Sequence, residues 1–363
     1  MTSYRKTSRP FNSSLVWGIA IAFLFAIFLK NPQAASAYMK KGMTLCYASV
    51  VPSLFPFMVV SELLVSIGFG KATERLLGRP IGRMLGFSPA ATGALILGWI
   101  CGIPVGAKIA VSLFDRGEIS QDELSRLLAV CNIPGSGFLV GVVGSTLYGD
   151  SRFGAYLYLC SLILSLGFAL LLRGKHKKSG AETSLLLSAP SRFSASDFTR
   201  VLASATTSML SVCACVVFFT SVVGCFSQIC AAFSAPSWVK PLLFGLFEIS
   251  SGVSASTSLE NIHACAAVCG FTVGWSGISV HMQILSVVGA RNVSLSPYFI
   301  SKFFQGTLCV ALAWCYTRLF PASLSPTQSI DVIERIRSPL PTLLLLAFGI
   351  FSILMRLKVN RKD

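Results

Sequence analysis

Two ionisable residues stand inside apolar runs of this chain, each beside a helix-breaking sequence. Lys108 closes "GWICGIPVGAKIA", where Gly102, Pro104 and Gly106 interrupt the run. Glu248 lies in "GLFEISSGVSA", next to Ser250 and Ser251. A charge at the centre of a membrane helix costs about 2.5–3.5 kcal/mol on insertion scales, so such a side chain must face a cavity or a partner. Proline removes a backbone donor and glycine permits sharp turns. Backbone opened in this way is tolerated at membrane depth only inside protein or along a cavity. The N-terminus of a half-helix carries partial positive charge and free N–H groups, which attract anions. Lys108 and the break before it therefore suit a carboxylate or phosphate; the plainer alternative is a lysine reaching toward the cytoplasmic interface. Glu248 suits a coupling proton, a sodium ion or a polar substrate group, and its alternative is a structural hydrogen bond to the Ser-rich turn beside it.

A second pair of breaks reinforces the first. "NIPGSG" contains Asn132, Gly135, Ser136 and Gly137, and Pro134 pushes its predecessor out of helix. "GFTVGWSGISVH" contains Thr272, Ser276, Ser279 and His281. Unwound backbone at these places offers carbonyls and short polar side chains to a substrate. The competing explanation for Gly-rich breaks is close helix packing. Glu62, late in "PSLFPFMVVSELL", joins Glu248 and His281 as a candidate coupling group. Lys302, six residues into its helix, reads as an interfacial anchor, and His263 as a polar helix start. "SQDELSRLLAV" predicts a helix entry capped by Ser120, with Glu123 completing a capping box. No GxSxG, Walker A or HExxH pattern occurs, so the chain reads as no enzyme and as needing no cofactor or metal. The 12 cysteines lie almost entirely in apolar segments and read as small packing residues.

The elements that must hold these residues follow from composition. Of 363 residues, 53% are hydrophobic and 12% charged, against about 25% charged in soluble domains. This predicts an all-α polytopic membrane protein. The net charge of +16 falls in short loops between apolar runs, which favours membrane orientation over nucleic-acid binding. Helices of about 20 apolar residues span a bilayer, and candidate spans are 14–29, 43–68, 124–148, 153–172, 201–226, 263–288, 297–318 and 339–356. The broken regions 87–114 and 238–259 read as re-entrant hairpins, giving about eight transmembrane helices plus two hairpins. With the N-terminus inside, most basic residues fall inside, among them Arg79, Arg83, Arg173, Arg200, Arg291 and Lys358. Reading either broken region as one full span would turn the later basic loops outward. Ala34–Ala37 resembles a signal-peptidase site, but this topology needs a retained first helix.

The organisation predicted is an N-terminal helix within residues 1–30, a first repeat over 38–172, a basic cytoplasmic linker over 173–200, a second repeat over 201–320, and a C-terminal helix and basic tail over 339–363. Each repeat has a full helix, a broken region, a long helix with an interior break and a closing helix. The first repeat begins outside and the second inside, which is an inverted repeat, the architecture of many secondary transporters.

"VVPSLFPFMVVSELL", "GWICGIPVGAKIA", "LLAVCNIPGSGFLVGVVG" and "GLFEISSG", in this order, resemble the YlbJ-type sporulation integral membrane proteins. That family is similar to the nucleoside-recognition gate-domain proteins and to concentrative nucleoside transporters. The resemblance covers roughly Tyr38 to Phe320 and departs from the pattern at Ile133, where a second Asn is common. It implies transport of dipicolinic acid from mother cell across the outer forespore membrane. It also implies a substrate site built from Gly102–Lys108, Asn132–Gly137, Glu248–Gly252 and Gly274–Ser279. The partners expected are an anionic small molecule, the bilayer and, as in related transporters, further copies of the chain. Transport of nucleosides or another polar metabolite, and a non-transporting scaffold for spore maturation, are the competing functions.

Overall fold

The computed structural model describes residues 13–67, 73–174, 194–232, 236–320 and 324–326. Among these residues every regular element is helical. Helix α1 is Ser13–Lys30, and α2 runs unbroken over Pro32–Ser66, with a wider π-helical stretch at Cys46–Val50. A short helix α3, Arg79–Leu85, bends by 97° into α4, Pro89–Cys101. Then come α5 (Val105–Asp115), α6 (Gln121–Cys131), the π-wound α7 (Gly137–Leu147) and α8 (Ser151–Leu171). The second half contains α9 (Ala195–Ala232), α10 (Val239–Phe247), α11 (Ile249–Ser256), α12 (Ile262–Trp275), α13 (Gly277–Val288) and α14 (Ser296–Leu319).

Five stretches among the described residues are long and apolar enough to cross a membrane: α2, α8, Ala195–Ser227 of α9, α12 with α13, and α14. A sixth is added if the bent pair ending in α4 counts as one span. The interior break expected in 124–148 is present: Pro134 and Gly135 leave residues 132–135 outside helix and split the stretch into α6 and α7. One expectation changes. The span predicted at 43–68 starts earlier, at Pro32, so Ala34–Ala37 lie within a helix and Lys40 and Lys41 on its first turns. The predicted helix at 339–356 and most of the linker lie outside the described residues.

Glycines decide how the broken regions fold. A Cβ built on Gly106 would sit 3.0 Å from the Gly98 Cα and 2.6 Å from the Cys131 carbonyl oxygen. The chain therefore reverses at Gly102–Pro104, and α5 lies back along α4, both against the end of α6. Gly102 itself has φ +74°, a left-handed conformation open to glycine. The second broken region reverses in the same way. A Cβ on Gly252 would collide with the Gly245 Cα, and one on Gly245 with the Thr272 side chain. So α11 folds back on α10, and both rest on α12.

The main apolar core joins α4–α8 to α11–α14 through residues such as Leu95, Leu113, Leu128, Val142, Phe153, Val253, Val273 and Ala313. A smaller core packs Cys46, Val50 and Met58 of α2 against Ala205, Met209 and Val216 of α9. Lipid tails are as apolar as these side chains, so transfer from water does not drive the inserted helices together. Close helix contact adds dispersion that small residues make accessible in a bilayer.

Two polar fastenings lock the halves together. Tyr148 is fully buried, and its hydroxyl meets Ser256 Oγ at 2.7 Å and donates to the Cys265 carbonyl at 2.9 Å. Removing that hydroxyl takes a donor from the buried Cys265 carbonyl, while Ser256 keeps its bond to the Val253 carbonyl. Tyr148→Phe is expected to lower stability by about 1–3 kcal/mol, read from denaturation in detergent. At another end, Arg291 Nε and Nη2 reach the Asp115 carboxylate at 2.7 and 2.6 Å, and Ser125 Oγ donates to the Ser294 carbonyl at 2.5 Å.

The guanidinium of Arg291 hydrogen-bonds Asp115 and holds its carboxyl below the usual range. A depressed folded value means the fastening is complete above the unfolded value of about 3.9 and is lost as pH falls through the folded one. Hydrogen exchange across residues 289–295 should therefore be constant from pH 7 to 5, once corrected for intrinsic rates, and rise only below about pH 4. Arg291→Ala should show the faster exchange at every pH.

Candidate functional site

The two reversals point at the two interior breaks. Gly102, at the first tip, packs so closely on Gly135 that a Cβ on Gly102 would lie 2.6 Å from the Gly135 Cα. Glu248, at the second tip, stands against Gly277: a Cβ on that glycine would lie 3.0 Å from the Glu248 Cα. Each break is geometrically enforced. Pro134 follows α6, while Ser276 adopts φ +74° between α12 and α13, a conformation that non-glycine residues rarely take.

A cavity lies where the two tips and the first break meet, beside α13. The first tip contributes Ile103 and the first break Pro134 and Gly135; the second tip contributes Glu248, Ile249 and Ser250; α13 contributes Val280 and Gln283. Leu54 of α2, Phe138 of α7, and Val212 and Val216 of α9 close the walls. Its volume is ≈ 50 Å³, in the measure by which one water needs about 10–15 Å³. The space holds a few waters, and an organic ligand enters only if a tip or a wall withdraws. A neighbouring space of ≈ 20 Å³ shares Leu54, Ile103, Gly135 and Phe138 with it and adds Ser136.

Glu248 is 1% exposed, with extended backbone that ends α10 and begins α11. Its carboxylate accepts from the backbone N–H of Ser250 at 3.0 Å and of Ser251 at 2.6 Å. This is an N-cap that satisfies two otherwise open donors of α11. Thr220 and Ser251 hydroxyls are hydrogen-bonded to each other, tying the tip to α9. The structural hydrogen bond weighed as the alternative for Glu248 is thus present, and the same residue also lines the cavity.

Lys108 stands one turn beyond the first tip and does not line the cavity. Its ammonium hydrogen-bonds Ser208 of α9 and lies 3.9 Å from the Glu62 carboxylate of α2. Sequence positions 46 apart are thereby joined into one ion pair, with the Lys108 side chain 39% exposed and Glu62 13%. Asn132 is buried; its Nδ2 donates to the Leu128 carbonyl at 2.8 Å and its Oδ1 has no partner. Ser276 and Ser279 are buried at the second break, outside the cavity lining. His281 is buried behind it, with Nδ1 2.8 Å from the Tyr298 hydroxyl.

Two readings are corrected and a third is extended. Lys302 is no interfacial anchor: it is fully buried, and its Nζ donates to Ser276 Oγ at 3.3 Å. Glu123 does not close a capping box. Ser120 does accept from the Glu123 N–H at 3.2 Å, but the carboxylate takes the Ser88 N–H at 2.5 Å, because α4 begins beside α6. His263 follows the N-cap Asn261 and also meets the Thr317 hydroxyl at 2.6 Å, so it fastens α12 to α14 as well as starting a helix. Gln283, Phe138 and the valines of α9 were not singled out from the sequence. For Lys302 a signal exists: Tyr298, Ser301, Lys302 and Gln305 recur at helical spacing as a polar stripe in an apolar helix. Among the described residues no cluster of three or more metal-binding side chains occurs, and the cysteines are unbridged.

The chain is 27% identical, over 332 residues, to the sporulation integral membrane protein YlbJ of Bacillus subtilis (strain 168), with 80% of each chain covered. No family model matches it, and no solved structure does. The similarity is to a protein named for its place in a membrane and for sporulation, and not as an enzyme.

Proposed function

We propose that this chain is a secondary transporter of a small organic dianion, dipicolinic acid, moved from mother cell across the outer forespore membrane. The observation that carries the reading is the cavity where two hairpin tips and the first helix break converge, with α13 closing one wall just beyond the second break. Discontinuous helices meeting at a central site are how many transporters bind substrate and alternate its access. In this reading the two halves form an inverted repeat, both termini are cytoplasmic, and the tips enter and leave the bilayer on one side each. The small volume of the cavity corresponds to a closed state that one hairpin must leave. Lys108 supplies positive charge on the first hairpin, held by Glu62 until the hairpin moves. Similarity to a sporulation membrane protein supports the choice of substrate.

A second reading, transport of a neutral polar metabolite such as a nucleoside, is favoured by Glu248 and Gln283 lining the cavity while Lys108 does not. Ligand-dependent melting in detergent separates the two. A ligand at ten times its Kd stabilises by about 1.4 kcal/mol. The leading reading expects that shift from dipicolinate and none from nucleosides. The reverse result would replace the substrate, and a shift from neither class would oppose a transporter of either kind.

A further inference from the structure

Behind the cavity lies a cation that the substrate site does not use. Lys302 is 0% exposed, and its Nζ donates to Ser276 Oγ at 3.3 Å. Ser276 ends α12 and begins α13, and Ser301, the neighbour of Lys302, donates to the Ala129 carbonyl in the last turn of α6 at 2.7 Å. The ammonium thus lies at the junction of α12 with α13, on a helix that also meets the last turn of α6; the carbonyls that end α6 and α12 carry partial negative charge. Ends of this kind are where transporters with discontinuous helices hold a coupling cation.

The surroundings complete the case. From α14 itself Tyr298 and Cys309 stand close, from α13 His281, from α6 Cys131, and through Cys309 also Cys269 of α12 and Cys160 of α8. Among the described residues no carboxylate lies within 4.0 Å of this ammonium; Asp150, which bonds α14, is held by Tyr316 toward the far end of that helix. Three buried polar atoms on the residue after α6, on α13 and on α14 have no partner: Asn132 Oδ1, His281 Nε2 and Gln305 Nε2. A buried charge is costly unless paired, and an amine that releases and regains one proton carries that cost for only part of a cycle. Ser276 also adjoins Gly277, the glycine that touches Glu248 in the cavity wall.

We propose that Lys302 is the coupling site: its ammonium takes the cation position at the ends of α6 and α12, so transport is driven by protons and not by sodium. One proton is taken up by the amine from water on one face, through the Ser276 hydroxyl, and returned to water on the other; no other bond changes. The inference rests on the transporter reading, and the test keeps the two apart. Protein in liposomes is assayed with labelled dipicolinate and labelled uridine, first by exchange without a gradient, then under an imposed pH or sodium gradient.

Wild-type protein is expected to exchange one substrate, to accumulate it at least tenfold under a pH gradient of one sense, and to ignore sodium. Lys302→Met should keep exchange and lose the accumulation, whereas a merely structural role would depress both together. Accumulation driven by sodium in the wild type, or pH-driven accumulation surviving in Lys302→Met, would overturn the proposal while leaving transport standing. Absence of exchange in the wild type would remove the transporter reading, and this inference with it. The sodium test needs only wild-type protein, so it decides even where the variant does not fold.

Discussion

Glu248→Ala is expected to abolish substrate exchange and to destabilise the protein at the same time. The carboxylate is buried, caps α11 through the Ser250 and Ser251 N–H groups, and lines the cavity. Alanine leaves two buried donors without acceptors, each costing about 1–3 kcal/mol, at the point where the second hairpin turns. Glu248→Gln separates the two roles. It keeps the size of the side chain and one oxygen acceptor but cannot be a carboxylate. Its melting midpoint should stay well above that of Glu248→Ala, while exchange falls at least tenfold. Wild-type exchange in Glu248→Gln would reduce Glu248 to a helix cap and remove it from the substrate site.

The second large effect is expected at the glycines that let the hairpins close. In Gly106→Val a branched side chain would be driven into the Cys131 carbonyl and the Gly98 Cα, and in Gly252→Val into the Gly245 backbone. These neighbours are main chain, so no side-chain rotation relieves the contact, and the helices must separate. Overpacking costs about 1–3 kcal/mol even where side chains can shift, and in a bilayer close approach at small residues is a main source of helix association. Either variant should lose the monodisperse folded peak after extraction, with the alanine forms intermediate. Gly167→Ala is the control, since nothing lies within 4 Å of a Cβ at that position. Normal yield and melting of both valine variants would show that the paired hairpins are not packed as described.

Local chemistry made the breaks legible in the sequence. Gly102–Ile103–Pro104 and the run around Pro134–Gly135 interrupt a helix, and the chain leaves helix at 102–104 and 132–135. Glu248 was legible as an acidic group in an apolar run, and it is the residue where α10 ends. What was hidden depends on neighbours distant in sequence. Depth along a helix placed Lys302 near an interface, but its face is set by α12, whose Gly270 and Gly274 let α14 approach until backbone meets backbone. Lys108 and Glu62 were each visible as candidates, yet their pairing follows from the long Lys108 side chain reaching from α5 to Glu62 of α2 and Ser208 of α9. Glu123 could complete its own helix cap, and only the adjacent start of α4 explains why it serves Ser88 instead. The cavity walls from α9, Val212 and Val216, carry no signal beyond being apolar.

The most direct measurement is exchange of labelled dipicolinate by purified protein in liposomes, compared with Val212→Trp, which places a large ring in the cavity from its α9 wall and leaves both hairpin tips intact. Saturable exchange by the wild-type protein, lost in a Val212→Trp variant that still melts cooperatively, is the predicted result. Exchange no faster than in protein-free liposomes, or undiminished with the cavity filled, would contradict a substrate site between the two tips.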